Sequence, residues 1–181
     1  MIIPDYITSR LSAERAERVA FFGETDSTNR RLSELAAQGA PAGTVVIADS
    51  QTAGRGRLGR SFSSPPGRGI YLSYLARPQG GIEAAGELTA RTAVAVRRAV
   101  SEVCAVAPGI KWVNDLVLGG RKICGILAET SGGTGGGIIV GIGINVCGAA
   151  ADFPPELRQT VSTVEEQTGR AQNRGALAAE I

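Results

Sequence analysis

Hydrophobic residues recur along this chain with two different periods, and the shorter period predicts strands. Short runs rich in valine, isoleucine, leucine or aromatic residues are bounded by glycine, proline, asparagine or aspartate, as expected of strands. We expect strands at residues 19–23, 44–49, 69–77, 111–118, 121–130 and 138–146.

The longer period, with apolar residues at steps of three and four, predicts helices. One helix is indicated over residues 28–38, with Asp26 or Ser27 as its cap. The longest is indicated over residues 83–105. Weaker patterns predict a short exposed helix within residues 4–18 and a helix capped by Asn173 at the end of the chain.

The expected strands 111–118 and 121–130 are separated only by Gly119-Gly120, which suits a two-residue hairpin turn. Strands that arrive as hairpins, with helices inserted between them, favour an α+β architecture. The pattern therefore predicts a mainly antiparallel or mixed sheet that is covered by helices.

Composition describes one globular domain over residues 1–181, since 43% of the chain is hydrophobic and 20% is charged. A net charge of +2 argues against a nucleic-acid coat or a polybasic membrane binder. Histidine is absent, which excludes Ser-His and Cys-His nucleophiles and imidazole-ligated metals. The widely spaced Cys104, Cys124 and Cys147 are expected to be buried, reduced thiols of a cytoplasmic protein.

The segment 50–69, SQTAGRGRLGRSFSSPPGRG, combines four arginines and five glycines with no acidic residue. Glycine lets the backbone approach an anion closely, and the guanidinium fork matches phosphate or carboxylate oxygens. Because the segment lies between two expected strands and has the length of functional loops, we predict that it binds an anion. Its spacing fits neither the phosphate-binding loop of nucleoside triphosphatases nor the dinucleotide fingerprint. A solvated loop is the alternative.

The only two lysines, Lys111 and Lys122, lie on the expected hairpin, whereas the other basic residues are all arginine. Pairing across the two-glycine turn places Asp115 opposite Cys124, with both lysines and Asp115 on one face of the sheet. A surface salt bridge would explain the same pattern. The aliphatic neighbours on that face instead favour a partly buried charge cluster.

Other polar residues are weaker candidates. Residues 27–29, Ser-Thr-Asn, begin a helix and could hold a polar ligand or serve as an ordinary cap. Glu129 and Asn145 stand in apolar strands and need partners if they are buried. We expect Trp112 to be a core or rim aromatic and the glycine-rich residues 132–137 to form a flexible hairpin loop.

Four segments together resemble the biotin protein ligases, and their order and separations extend over residues 20–147. They are Ser27-Thr28-Asn29, QTAGRGRLGR at 51–60, KWVND at 111–115 with RKICGIL at 121–127, and GIGIN at 141–145. The resemblance implies an α+β catalytic domain related to class II aminoacyl-tRNA synthetases and lipoate ligases. It also implies that biotin and ATP form biotinyl-5′-adenylate, from which biotin passes to a lysine of a biotin carboxyl carrier protein, such as the acetyl-CoA carboxylase subunit.

The resemblance also implies roles for individual residues. Biotin would contact Ser27, Thr28, Asn29, Gln51, Gly54, Arg55, Gly56, Arg57, Lys122, Gly125 and Leu127. The nucleotide would contact Arg57, Arg60, Phe62, Lys111, Asn114, Asp115, Lys122 and Asn145. Lys122, Arg57 and Asp115 would be the catalytic residues, with Mg²⁺ as a cofactor whose ligands are left open. The loop is expected to be mobile when empty and ordered over ligand, so that water is kept from the adenylate.

The chain departs from the family pattern at two positions. The family usually has proline where Val113 stands and tryptophan where Phe62 stands. Valine would keep a strand hydrogen bond that proline loses, and phenylalanine offers adenine a smaller stacking surface, which bears on nucleotide affinity. With no helix-turn-helix before the core at 19–147 and no C-terminal β-barrel, we expect a shortened ligase without DNA or membrane partners. Homodimer formation is left open.

Two alternative functions are compatible with parts of this sequence pattern. A lipoate ligase or octanoyl transferase would share the fold but lack the arginine–glycine signature. An RNA-binding module would use the arginine loop with a steep salt dependence and with aromatic platforms for bases. The ligase interpretation requires Arg57 and Lys122 to face one shared hollow.

Overall fold

The computed structural model describes residues 4–131 and 136–181, so most of the expected glycine-rich loop at 132–137 lies outside the described residues. Seven strands form one mixed sheet in the order β1-β2-β3-β7-β6-β5-β4. They are β1 (Val19–Thr25), β2 (Val45–Gln51), β3 (Gly69–Ala76), β4 (Gly109–Lys111), β5 (Asp115–Leu118), β6 (Arg121–Ser131) and β7 (Gly137–Asn145). Only β1 and β2 pair in parallel, which confirms the predicted mainly antiparallel α+β fold.

Helices cover both faces of this sheet. In chain order they are α1 (Pro4–Thr8), α2 (Ala13–Ala16), α3 (Thr28–Ala37), α4 (Ala85–Cys104), α5 (Val164–Thr168) and α6 (Arg174–Glu180). The α3 helix packs on β2, β3 and β7, while α4 contacts β6, β5 and β7 from the other side. Four 3₁₀ turns lie at Arg57–Gly59, Gly81–Ala84, Ala150–Asp152 and Pro155–Leu157.

Strand β7 shows how the two faces differ. Ile138, Val140, Ile142 and Ile144 belong to the large core cluster that includes residues of α4. Because alternate residues of a strand point to opposite faces, Gly141, Gly143 and Asn145 lie on the α3 face. Ile139, on that same face, packs with Leu32 of α3 in the smaller cluster. On the α3 face, the alternate glycines Gly141 and Gly143 thus leave a hollow above the sheet.

The N-terminal region and the first lysine segment both differ from the predictions. Residues 4–18 form two short helices rather than one, because α1 ends at Thr8 and α2 begins at Ala13. The expected strand 111–118 is two antiparallel strands, β4 and β5, joined by a turn at residues 112–114. Val113 lies in that turn, so the expectation that it makes a strand hydrogen bond is wrong.

The predicted hairpin between β5 and β6 is confirmed in part. Gly119 and Gly120 form its turn with φ values of 56° and 77°, a region that favours glycine. Val117 pairs with Lys122 as predicted, but the register then shifts, and Asp115 pairs with Gly125 instead of Cys124. A bulge of one extra residue explains the error, since a bulge moves every later partner along the strand.

The C-terminal helix is fastened to the sheet by a nearly buried ion pair. The Asn173 side chain accepts a 2.9 Å bond from the amide of Ala176, which confirms the predicted cap. Arg174, 9% exposed, donates to the carbonyl of Gly69 and forms a 2.8 Å ion pair with Asp49 of β2. The helix therefore supports the point where β3 begins and the arginine–glycine loop ends.

Candidate active site

One cavity on the α3 face gathers most of the residues that the sequence singled out. It is lined by Ser27, Thr28, Asn29, Gln51, Arg55, Gly56, Arg57, Phe62, Asn114, Lys122, Gly125, Ile126, Leu127, Gly141, Ile142 and Gly143. Arg57 and Lys122 therefore face the same hollow, as the ligase interpretation requires. The volume is about 50 Å³.

Three glycines of β6 and β7 form the floor of the cavity. A Cβ atom at Gly125 would lie 2.9 Å from Nζ of Lys122, and one at Gly143 would collide with the ring of Phe62. At Gly141 it would collide with the side-chain amide of Asn29. Since real Cβ atoms do not approach other groups so closely, these glycines make room for the Lys122, Phe62 and Asn29 side chains that line the cavity.

A connected set of hydrogen bonds forms the wall beside α3. Gln51 Oε1 accepts from the backbone amide of Thr28 at 2.8 Å and from its hydroxyl at 3.1 Å. The buried Ser73 hydroxyl lies 2.8 Å from that of Thr28 and donates to Asn29 Oδ1 at 2.6 Å. Ser27 occupies the N-cap position of α3 but makes no side-chain cap bond. Ser27 is therefore the N-cap residue by position, but its side chain does not cap the helix.

The arginine–glycine loop is tied to the far side of the cavity by two arginines. Arg55 forms a 2.8 Å ion pair with Glu129 of β6, and Arg57 donates to Asn114 Oδ1 at 3.1 Å. Asn114 is itself held by β6, because its backbone carbonyl accepts from Ile126 N at 2.8 Å. The loop consequently bridges the cavity from β2 to β6.

The other end of the loop is anchored under the cavity by Phe62 and Tyr71. The Phe62 ring lies over Gly143 and meets the Tyr71 ring edge to face, with centroids 6.5 Å apart. The Tyr71 hydroxyl donates to the carbonyl of Pro65 at 2.9 Å. Burial raises the pKa of Tyr71 far above its ordinary value, so the hydroxyl stays a neutral donor.

Replacing Tyr71 with phenylalanine should lower the free energy of unfolding by about 1 kcal/mol, the ordinary net contribution of one hydrogen bond. The Pro65 carbonyl loses its donor, while the ring packing is kept. Equilibrium unfolding in urea measures the change. An unaltered unfolding midpoint would show that this bond does not hold the loop.

Lys122 carries the only amine on the lining of the cavity. Its Nζ lies 2.7 Å from Oδ1 of Asp115, so the predicted proximity of these two groups is confirmed in spite of the shifted register. Its backbone pairs with the segment after β7, because the Lys122 amide donates to Thr160 O at 2.8 Å and the Ser162 amide donates to Lys122 O at 2.9 Å. The backbone of Lys122 is thus fixed by two hydrogen bonds, one as donor and one as acceptor.

Five of the expected ligand-binding residues do not line the cavity: Gly54, Arg60, Lys111, Asp115 and Asn145. Gly54 is buried where the Phe62 carbonyl and the Ser64 hydroxyl leave no room for a Cβ atom. Arg60 and Lys111 are exposed, and Asp115 reaches the cavity only through Lys122. Asn145 is buried at the end of β7, beyond Gly143.

Two further expectations are corrected. Trp112 is 80% exposed rather than a core or rim residue, because it lies in the turn between β4 and β5. Cys104 and Cys124 are buried free thiols, but Cys147 is only partly buried. Burial raises the pKa of Cys124 to about 12, so its sulfur is a protonated, unreactive thiol at neutral pH.

Several residues of the site were missed by the sequence reasoning. Gly141 and Gly143 could have been found, since the spacing of glycines in GIGIN puts them on the same face as Asn145. Two partners of Asn29, Ser73 and Glu129, lie 44 and 100 positions away. No local pattern signals such distant pairs.

Over residues 4–131 and 136–181, no group of three or more histidine, cysteine, aspartate or glutamate side chains could hold a metal ion. Within the same residues, no helix is both long and apolar enough to cross a membrane. Asp115 is the carboxylate nearest to the cavity amine.

Comparison with known proteins places these features in one family. Residues 21–145 match the model of the biotin/lipoate A/B protein ligase family. The chain is 38% identical over 153 residues to the bifunctional ligase/repressor BirA of Bacillus subtilis, covering 83% of this chain and 47% of that protein. It is 41% identical over 153 residues to the biotin--[acetyl-CoA-carboxylase] ligase of Paracoccus denitrificans, covering 81% and 62%. It thus spans about half to two thirds of the length of these relatives.

Solved structures of biotin protein ligases are also similar to this chain. The biotin protein ligase of Aquifex aeolicus in complex with biotin and ATP is 34% identical, with a TM-score of 0.76 over 90% of this chain and 68% of that one. The biotin protein ligase of Leishmania major in complex with biotinyl-5-AMP is 29% identical, with a TM-score of 0.71 over 90% and 70%. The chain therefore belongs to the biotin/lipoate A/B protein ligase family.

Proposed function

We propose that this chain is the catalytic domain of an ATP-dependent biotin protein ligase. A carboxylate oxygen of biotin attacks the α-phosphorus of ATP, the α–β phosphoanhydride bond breaks, and pyrophosphate leaves. A lysine amine of the acceptor then attacks the acyl carbon, and the acyl–phosphate bond breaks to release AMP as the amine gives up a proton. The relatives named for acetyl-CoA carboxylase support a biotin carboxyl carrier protein as that acceptor.

The observation that carries this proposal is the convergence of Arg57 and Lys122 on one cavity. Both reactants of the first step are anions, so their mutual repulsion is a large part of the barrier. Fixed positive charges at the meeting point stabilise the transition state without reorganisation. This chemistry needs no histidine, which agrees with the composition of the chain.

The other side chains divide between the two ends of the cavity. Ser27 has a hydroxyl that is not used as a helix cap, and with Thr28, Asn29 and Gln51 it would contact the ureido ring of biotin. Gly125 and Leu127 would line the biotin pocket. Lys122 would hold the carboxylate and the α-phosphate, and Phe62 would face the nucleotide. Arg60, Lys111 and Asn145 would contribute only if the bound nucleotide extends beyond the cavity that the structure shows.

Magnesium fits the site as a nucleotide-bound ion rather than as a resident one. Mg²⁺ usually keeps several waters and is held by one or two carboxylates plus substrate phosphates. Asp115, which lies beside Lys122, would supply one carboxylate. When bound, the ion would neutralise charge on the phosphates.

The loop explains how the intermediate would be protected. Its two arginine ties cross the cavity, so opening them would widen the entry for biotin. Closing it again over the adenylate would exclude water and prevent hydrolysis of the reactive anhydride. The change from a mobile to an ordered loop remains part of the proposal.

The arrangement of the arginines argues against an RNA-binding module. Arg55 and Arg57 are engaged with Glu129 and Asn114 across the cavity instead of lining an open groove, and Phe62 is turned onto the glycine floor. A cytoplasmic location remains part of the proposal. Pairing of two copies is left open.

Calorimetry tests the proposal directly. Biotin alone should bind, and ATP added with Mg²⁺ should then release pyrophosphate in amounts that depend on biotin. Lipoate or octanoate in place of biotin should release none. Pyrophosphate release with lipoate but not with biotin would favour the lipoate ligase alternative, and no binding of either would overturn the assignment.

Replacing Arg57 with alanine should increase leakage of free biotinyl-adenylate several-fold, because the loop loses its tie to Asn114. Leakage is measured as free adenylate and its hydrolysis products per pyrophosphate released. Arg68→Ala is the matched control, since Arg68 lies at the end of the same loop and pairs with Asp152 outside the cavity. Equal leakage in both variants would show that the Arg57 tie does not close the loop.

A further inference from the structure

Glu129 joins the loop side of the cavity to the α3 side through a single oxygen atom. Its Oε2 accepts from Nδ2 of Asn29 at 2.7 Å and from Nη2 of Arg55 at 2.8 Å. Asn29 belongs to α3 and Arg55 to the arginine–glycine loop, while Glu129 itself stands on β6. Three separate segments of the chain therefore meet at this carboxylate.

The Asn29 amide has no freedom left once these bonds form. Its Oδ1 accepts from the Ser73 hydroxyl at 2.6 Å, while its Nδ2 donates to Glu129. The residue is only 5% exposed. Nδ2 also lies 3.4 Å from the Leu127 carbonyl, so the carboxylate is the nearer of two acceptors that orient the amide on the cavity wall.

The loop is held at two levels along β6. Arg57 is tied through Asn114, which bonds to Ile126, while Arg55 is tied to Glu129 further along the strand. Only the Arg55 tie is an ion pair, whereas Arg57 donates a charge-assisted bond to the neutral amide of Asn114. Arg55 is 49% exposed and Glu129 is 31% exposed, so the pair can open into water.

We propose that Glu129 is a positioning residue that couples closure of the arginine–glycine loop to the orientation of Asn29 in the cavity wall. When Arg55 withdraws, the carboxylate loses one of its two donors and the Asn29 amide loses a fixed acceptor. When the loop closes, both are restored together. The effect on biotin, but not the coupling itself, rests on the proposed ligase function.

Tryptic cleavage of the unliganded protein tests the coupling without any substrate. Glu129→Gln removes the charge but keeps the shape, so the loop should open more often. Cleavage after Arg57 and Arg60, mapped by mass spectrometry, should become about tenfold faster. Glu34→Gln is the matched control, because Glu34 pairs with Arg30 and Arg31 on the exposed face of α3. Cleavage of the Glu129 variant within twofold of the unmodified protein would overturn the proposal.

The partner variant Arg55→Gln removes the same ion pair from the loop side and affects a half-exposed residue, so folding should be preserved. It should accelerate cleavage after Arg57 and Arg60 by the same factor as Glu129→Gln. The double variant should be cleaved no faster than either single variant. Acceleration that multiplies in the double variant would show that the two residues act independently.

Biotin affinity separates positioning from a merely structural role. In Glu129→Gln the dissociation constant for biotin should rise about tenfold at an unchanged melting temperature, and Glu129→Asp, which keeps the charge, should recover part of the loss. An unchanged dissociation constant would show that Glu129 does not couple loop closure to the orientation of Asn29. If the unmodified protein failed to bind biotin at all, the ligase function would fail while the cleavage results would still decide whether Glu129 holds the loop.

Discussion

Replacing Lys122 with alanine is expected to lower the rate of biotinyl-adenylate formation by a factor of about 10²–10³, the usual effect of removing one preorganised charge from a transition state. Lys122 is the only amine on the cavity lining, and Asp115 holds it at 2.7 Å. Without it, the biotin carboxylate and the α-phosphate would approach each other with less neutralisation. Biotin-dependent release of pyrophosphate measures the rate.

The fold should survive this substitution, because the backbone bonds from Lys122 to Thr160 and Ser162 do not involve its side chain. A melting temperature measures the cost of leaving the buried Asp115 Oδ1 without Lys122. Arg98→Ala is the control, because Arg98 is an exposed cation of α4 that lies away from the cavity. Turnover of the Lys122 variant close to that of the control would contradict the assigned role.

Replacing Gly141 with alanine is expected to lower the free energy of unfolding by about 3 kcal/mol and to weaken biotin binding with it. The new Cβ atom would collide with the Asn29 amide and force it out of its bonds to Ser73 and Glu129. Overpacking costs about 1–3 kcal/mol, and unpaired buried polar groups cost about 1–3 kcal/mol each. Urea unfolding and calorimetry with biotin measure the two effects.

Gly23→Ala provides a matched control on the same sheet. Gly23 lies in β1, and a Cβ atom there meets nothing within 4 Å. Alanine in a strand is favoured over glycine by about 0.5–1 kcal/mol, so the control should be neutral or slightly stabilising. If both variants were equally stable, the Asn29 amide would not be packed against Gly141 as the structure shows.

The β5–β6 hairpin shows how far local reasoning reaches. The two-glycine turn and the pairing of Val117 with Lys122 follow from residues that are close in sequence, and both are confirmed. The bulge beyond this pair follows from packing, and it moves Asp115 from Cys124 to Gly125. Asp115 and Lys122 still meet, because a long lysine side chain tolerates a shift of one residue.

The exposed Trp112 shows where the same reasoning fails. Its neighbours suggested a continuous strand, but the chain reverses at residues 112–114 to pair β4 with β5. The reversal carries no glycine or asparagine–glycine signal at its centre. A large apolar side chain such as that of tryptophan is expected to be buried, whereas its position in a turn leaves Trp112 in solvent.

Local pattern was sufficient for the kinds of elements, the two-glycine turn, the cap at Asn173 and the gathering of arginine and glycine in one loop, because these depend on residues a few positions apart. The sheet order decided which residues meet across the cavity. Arg55 and Glu129 are 74 positions apart, and Asn29 and Glu129 are 100 apart. Such pairs exist only because β6 and β7 bring the α3 face and the loop together, and no spacing along the chain encodes that distance.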